Sequence, residues 1–461
     1  MTNAPSARAV CLGLLEEILE NGAYSHIALK RTLTKYQDLK KEDRAFITRV
    51  VEGTIEHLIT IDYMIDCYSK TKVRKMKPAI RNILRMSVYQ MKYMTQIPES
   101  AICNEAVKLA KKRGFQGLGG FVNGILRTMI REPERCALPD KKKDMIAYLS
   151  VSYSMPKWII EVLHKQYNWE TVERSLEAFV QVQKTSIRCN ESKITPEQLE
   201  KKLIEEGVQV EKNQYLKGAF LISNYDHLNE LDSFKQGFFQ VQDVASMLVA
   251  TCAGIKKDDF IVDVCAAPGG KSLHAANLLQ QLDSTPDLKM RKGMVISRDL
   301  TEKKVGLIKE NQERLQANNM LAEVYDATVH DQKLIGQADV VIADLPCSGL
   351  GVIGKKPDIK YKIEPQALSD LAKLQRQILD VVTQYVKPGG TLMYSTCTMN
   401  YDENQGNMEY IVDSLGFELQ SLDPYLPENL KSTQTSQGYL CLVPGTHESD
   451  GFFIARLVKK G

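Results

Sequence analysis

At 461 residues the chain is too long for one hydrophobic core, and two to four domains are expected. It carries 60 Lys plus Arg against 57 Asp plus Glu, a formal charge of +3 that singles out no class of partner. No apolar run approaches a membrane span, MTNAPSARAV lacks the apolar core of a secretory signal, and ten scattered cysteines without a CxxC or HExxH motif argue against a zinc site or a disulfide framework. A soluble, cytoplasmic protein without a metal is expected.

The charge is unevenly spread. Residues 1–150 hold 26 basic and 16 acidic side chains, net +10, which leaves the remainder at −7. A basic module joined to an acidic one fits a nucleic-acid-docking domain on a catalytic body, although wet helix surfaces give the same excess. From Ala7 to about Arg131 the apolar spacing is helical: Ile47, Val50, Val51 and Leu58 make one stripe, and Ile80, Ile83, Leu84, Val88 and Met91 another. An all-α bundle over residues 1–140 is expected. Its densest basic cluster is Lys70, Lys72, Arg74, Lys75, Lys77, Arg81 and Arg85, with Lys108, Lys111, Lys112 and Arg113 as a second.

Residues 132–144 mix proline and charge without apolar period, as a linker does. Helix, then strand at Thr185–Cys189, then a helix opened by Thr195-Pro196, then short strands to Ile222 describe a small α+β module over 145–236. From Gly237 to the end, strands and helices alternate: strands at Phe260–Cys265, Met294–Ser297, Glu323–Tyr325, Val340–Ala343, Thr391–Ser395 and Gly451–Leu457 imply a doubly wound α/β sheet over 237–461.

The first of these strands runs into Asp263-Val264-Cys265-Ala266-Ala267-Pro268-Gly269-Gly270-Lys271-Ser272, a glycine turn that lets backbone approach a ligand. A phosphate loop needs Gly where Cys265 stands, and a dinucleotide fingerprint needs GxGxxG, which is absent. The S-adenosylmethionine version of the fold remains. Asp299, ending the second strand, is placed for the ribose hydroxyls, and Asp326, after the third, for the adenine edge.

The fourth strand ends in Asp344-Leu345-Pro346-Cys347-Ser348-Gly349 and the fifth in Tyr394-Ser395-Thr396-Cys397-Thr398. An acid and two thiols at neighbouring strand ends suit one difficult reaction. Cytosine C5 becomes nucleophilic only when a thiolate adds to C6; a carboxyl at N3 stabilises the charge formed, and the C5 proton must later leave. Buried structural thiols are the alternative reading, retained for the other cysteines apart from Cys265, whose backbone is expected to face the cofactor.

VDVCAAPGGKS, ADLPCSGLGVIGKKPDIK and YSTCTMNYDENQ together resemble RNA 5-methylcytosine methyltransferases, and the helical N-terminal region resembles the NusB fold. The combination is similar to the small-subunit ribosomal RNA branch of that family. The resemblance implies a multidomain chain: an all-α NusB-like N-terminal bundle, a small α+β module and an α/β doubly wound Rossmann-like methyltransferase domain. It implies Cys397 as the nucleophile on C6, Cys347 as the group that assists product release, and Asp344 between cofactor and base. Cys265, Ala266, Ala267, Pro268, Gly269, Gly270 and Lys271, with Asp299, Asp326 and Asp344, hold S-adenosylmethionine, and Lys355, Lys356 and Lys360 line the RNA side. The expected partner is 16S rRNA or an early small-subunit assembly particle, met by a monomer. Two departures from the pattern are Tyr361, where Trp is frequent, and Arg298 before the ribose acid. The same chemistry on tRNA or large-subunit rRNA, a non-catalytic RNA-binding assembly factor, and a dithiol redox sensor are the rival readings.

Overall fold

The computed structural model describes residues 6–36, 38–181, 183–283 and 292–461; the first five residues of the N-terminal stretch discussed above lie outside them. The chain forms two compact units, residues 1–180 with Ile353–Ile363, and residues 181–352 with 364–461. The contacts therefore group the chain differently from the expected divisions at 140–145 and 236–237. The three short helices Met145–Ser152, Lys157–His164 and Trp169–Phe179 pack within the first unit.

Seven α-helices between Ala7 and Arg131 make the body of that first unit. The helix Pro78–Tyr93 is central, and its proline occupies the first helical position, where the missing N–H costs nothing. Ile80, Ile83, Leu84 and Val88 are buried there against Ile47, Val50 and Val51 of the helix Lys41–Glu56. Both apolar stripes thus meet in one core. Two members of the expected phosphate cluster are spent internally: Arg85 is buried against Asp62, and Arg81 pairs with Glu20. Lys70, Lys72, Arg74, Lys75 and Lys77 stay exposed. Cys67 and Cys136, expected as separate thiols, are joined as a disulfide, Cα to Cα 5.6 Å.

The second unit carries two sheets. The smaller is antiparallel, in the order β2 (Gln209–Lys212), β3 (Ala219–Ser223), β1 (Thr185–Cys189), β4 (Phe239–Val241). The helix Pro196–Glu205 beside it starts with a capping box in which Thr195 and Gln198 satisfy each other's backbone N–H. The larger sheet contains β5 (Phe260–Asp263), β6 (Met294–Asp299), β7 (Met320–Val324), β8 (Ala338–Asp344), β9 (Val386–Thr396), β10 (Phe417–Leu419), β11 (Tyr439–Leu442) and β12 (Phe452–Lys459). Its parallel part runs β7-β6-β5-β8-β9; β12 pairs antiparallel with β9, and β10 and β11 with β12.

Strand order reverses between β5 and β8. Pairing sets Asp263 beside Ser297 and Ile342, and Asp344 beside Ser395, so the strand ends share one edge. At such a switch point an open α/β sheet presents its ligands. Apolar residues on the two faces of the sheet, such as Ile261 and Ile342 on one and Val262 and Val341 on the other, fill separate cores, which explains the near-continuous apolar runs of β5 and β8.

Candidate active site

The glycine turn is tied down by its own backbone. Ala266 N–H donates to the Arg298 carbonyl at 2.8 Å, Ala267 N–H to Asp299 Oδ2 at 3.0 Å, and Gly269 N–H to the Ala266 carbonyl at 2.6 Å. Gly269 takes a left-handed φ of 100°, and a Cβ there would press on Ile308 at 3.3 Å and Leu273 at 3.4 Å. The peptide Ala267–Pro268 is cis. Helix Gly270–Leu282 then starts at the turn, with no side chain capping its first N–H groups. Beneath it Asp263 is wholly buried. Its Oδ2 accepts from Ser272 Oγ at 2.5 Å, its Oδ1 has no partner, and burial pushes its carboxyl up to about 7.

Asp299 is buried, accepts from Leu300 N–H at 2.8 Å, and faces Lys304 Nζ at 3.0 Å. Asp326 is exposed, and hydrogen bonds from the Thr328 hydroxyl (2.7 Å) and N–H (2.9 Å) hold its carboxyl below the usual range. Between these acids Arg298 makes a clasp. Its Nε donates to Glu323 at 2.6 Å and its Nη2 to Asp331 at 2.6 Å, with the guanidinium 4.1 Å from the Tyr325 ring centre. The clasp draws the segment after β7 toward β6.

Asp344 joins the turn to the cysteines. Its Oδ2 accepts from Lys271 Nζ at 2.6 Å and its Oδ1 from Ser395 Oγ at 2.7 Å. Burial opposes the Lys271 charge, but the Asp344 carboxylate more than offsets this and keeps the ammonium above its ordinary pKa. Cys347 and Cys397, one past β8 and one past β9, bring their Sγ atoms to 3.3 Å. The hydrogen bond to Cys397 raises the Cys347 thiol far above its ordinary value; burial and the neighbouring carboxylates of Glu403 and Asp344 push the same way. The Cys265 thiol is also raised, by burial first and by three nearby aspartates.

The loops that carry the two cysteines are fastened together. Ser348 Oγ lies 2.6 Å from Thr398 Oγ1, and Gly351 N–H donates to the Cys397 carbonyl at 3.0 Å. A Cβ on Gly351 would collide with the Gly451 carbonyl at 1.9 Å, so only glycine allows these loops to close on β12's leading end. Under both loops lies Glu403, fully buried, which the sequence reading did not single out.

The three lysines expected on the RNA side separate. Lys355 and Lys356 are exposed. Lys360 is not available: it is 2% exposed, its Nζ donates to the Glu56 carbonyl at 2.8 Å, and burial lowers its ammonium to about 7. Its neighbours behave alike. Asp358 accepts from Ser25 N–H at 3.0 Å, Lys362 donates to the Ala23 carbonyl at 2.7 Å, and the Tyr361 hydroxyl lies 3.1 Å from Ser154 Oγ. The helical unit absorbs this stretch, which corrects the expected role of Lys360. Among the described residues no cluster of His, Cys, Asp and Glu could hold a metal, and no helix is long and apolar enough to cross a membrane.

Comparison with known proteins agrees with this layout. The family model "16S rRNA methyltransferase RsmB/F" matches residues 250–458, the NusB family residues 5–131, and "Methyltr_RsmF/B-like, ferredoxin-like domain" residues 155–226. A probable ribosomal RNA small subunit methyltransferase B from Bacillus subtilis is 36% identical, over 99% of both chains. The chain belongs to the ribosomal RNA small subunit methyltransferase B family. Another member, from Escherichia coli O1:K1, is 27% identical over 100% of each chain. Among solved structures, PH0851 superposes with a TM-score of 0.78 at 22% identity over 99% of each chain. NSun6 from Pyrococcus horikoshii with SFG gives 0.57 at 23% identity, over 66% of this chain and 98% of that one. Both share the fold. The family assignment bears out the expected architecture of NusB-like bundle, small α+β module and methyltransferase domain.

Proposed function

We propose that this family member methylates C5 of a cytosine in 16S rRNA, taking the methyl from S-adenosylmethionine and holding the base through a cysteine adduct. The observation that carries the reading is the convergence of two thiols 3.3 Å apart on Asp344, itself tied to Lys271 of the glycine turn. The residues present fit the donor. The left-handed φ at Gly269 would strain any larger residue, and Asp263 Oδ1 and Arg298 Nη1 are buried polar atoms without partners. Cys265 to Lys271, Asp299, Asp326 and Asp344 would hold the donor, which when bound supplies an electrophilic sulfonium methyl.

The chain's own residues do the rest. Cys397 gives its proton to solvent and its thiolate forms the Sγ–C6 bond, pushing the ring electrons toward C5. In this reading Asp344, beside both thiols, is the carboxyl that stabilises N3 of the ring. After transfer, C5 carries both a methyl and a proton. Cys347 is a thiol at rest; it must first lose its own proton to solvent, and the thiolate so formed, a strong base because of its raised pKa, takes the C5 proton. The C5–H electrons restore the C5=C6 bond and expel the Cys397 thiolate. A base in a duplex cannot reach such a pocket, so the target must be unstacked first. Exposed Lys70, Lys72, Arg74, Lys75 and Lys77, with Lys355 and Lys356, supply phosphate contacts whose strength falls with salt.

Tritium transfer from labelled S-adenosylmethionine to 16S rRNA tests the reading, with digestion to nucleosides to identify the product. Labelled 5-methylcytidine is expected. Label in another nucleoside would remove the cysteine mechanism, and label only in tRNA or large-subunit RNA would move the substrate.

A further inference from the structure

The buried carboxylate of Glu403 has no role in the steps above. It lies between β9 and the helix Gln405–Ser414 and is 0% exposed. Taking a carboxylate out of water is costly unless donors surround it. Four do. Ser348 N–H reaches Oε2 at 2.9 Å and Ser348 Oγ reaches Oε1 at 2.5 Å; Gln375 Nε2 reaches Oε2 at 3.0 Å and Asn400 Nδ2 reaches Oε1 at 3.1 Å.

The origin of these donors matters more than their number. Ser348 follows Cys347 directly, and Asn400 lies just beyond Cys397 on the second cysteine loop. Gln375, from the helix Pro365–Val382, also donates to the Pro346 carbonyl at 2.8 Å, immediately before Cys347. The main chain of Glu403 is anchored in turn, since its carbonyl accepts from the Tyr394 hydroxyl of β9. One carboxylate therefore ties the loop of the releasing thiol to the loop of the attacking thiol.

We propose that Glu403 is the positioning residue of the site: it fixes the separation of Cys347 and Cys397, so that adduct formation and adduct release act on the same face of one ring. The inference rests on the two-cysteine reading above. Glutamine at 403 would keep the size but turn an NH2 group toward N–H donors, so at least one of the four bonds must break. The negative charge that helps keep Cys347 protonated would go with it.

The test uses the full-length protein carrying Glu403→Gln, with Ser348→Ala as a milder second variant. The first measurement needs no RNA: the rate at which diamide, a two-electron thiol oxidant, converts the Cys347 and Cys397 thiols to a disulfide while being reduced to the hydrazine, followed by peptide mapping. Corrected for the thiolate fraction of each variant, read by its absorbance at about 240 nm, wild type should close rapidly, Glu403→Gln about tenfold more slowly or worse, and Ser348→Ala in between. The second is methyl transfer per folded molecule, with the folded fraction counted by donor-analogue binding, where kcat should fall about a hundredfold with KM for the donor unchanged. Should Glu403→Gln fail to fold, Ser348→Ala carries the same test. Unchanged disulfide rate and unchanged kcat would overturn the proposal. A slowed disulfide in a protein whose wild type methylates no RNA would leave Glu403 as the positioner and instead remove the assigned reaction.

Discussion

The donor side and the acceptor side of the catalytic edge are built in opposite ways. On the donor side, polar groups are met one at a time: Asp326 by Thr328, the turn at Ala266 and Ala267 by the end of β6, and Asp299 by Leu300 and Lys304. On the acceptor side the two thiols depend on one shared buried carboxylate, with Glu403 gathering Ser348, Gln375 and Asn400. A site for a small, invariant ligand can be made from short local motifs. Holding two reactive sulfurs at one spacing takes a network that crosses the unit.

The sharpest break in this comparison is at the thiols. Cys397→Ala should reduce methyl transfer by about 10³-fold or more, because the attacking atom is gone. Cys347→Ala should instead leave a protein–RNA adduct that survives a denaturing gel; an adduct from Cys397→Ala would reverse the two assignments. Asp344→Asn acts where the two sides meet. It removes the charge paired with Lys271, and kcat should fall about a hundredfold. On the donor side, Arg298→Ala opens the clasp on Glu323 and Asp331, and S-adenosylhomocysteine measured calorimetrically should bind about tenfold more weakly, with RNA affinity unchanged.

The smallest effect lies away from both sides, at Lys360. Its folded pKa of about 7 is below the ordinary 10.5. Between those values the unfolded chain holds a proton that the folded chain lacks, so stability from this residue rises with pH across that window. Below pH 7 the folded ammonium is charged as well, and its burial opposes folding. Lys360→Met should flatten the rise in melting temperature between pH 7 and 9 and raise stability at pH 6. An unaltered pH profile would show the amine to be solvated.

How far the sequence could be read follows the same division. The glycine turn, Asp299, Asp344 and both cysteines stand in short motifs whose chemistry is local. Glu403 and Gln375 could not be found that way, since an acid and an amide in helical surroundings carry no signal until the fold brings them under the loops. The Lys387-Pro388-Gly389-Gly390 stretch reads as a helix terminator, yet it lies inside β9, where the pairing with β8 shifts register between Ala338 and Val340 and tolerates the proline. β10 and β11 were too short to show a period. Lys360 looked like a phosphate ligand because charge is visible in sequence and burial is not. The bridge between Cys67 and Cys136, 69 residues apart, likewise depends on helix packing that spacing does not encode.

The capture of Ile353–Ile363 by the helical unit has a practical consequence for anyone cutting this gene. A fragment starting at residue 181 would keep that strip but lose the helices that cover it, exposing the Lys360 stem and the Tyr361 ring to water. The minimal soluble methyltransferase is therefore not reached by deleting the N-terminal 180 residues. It needs the helices supplied in trans, or the strip replaced by a short polar bridge from Val352 to Glu364.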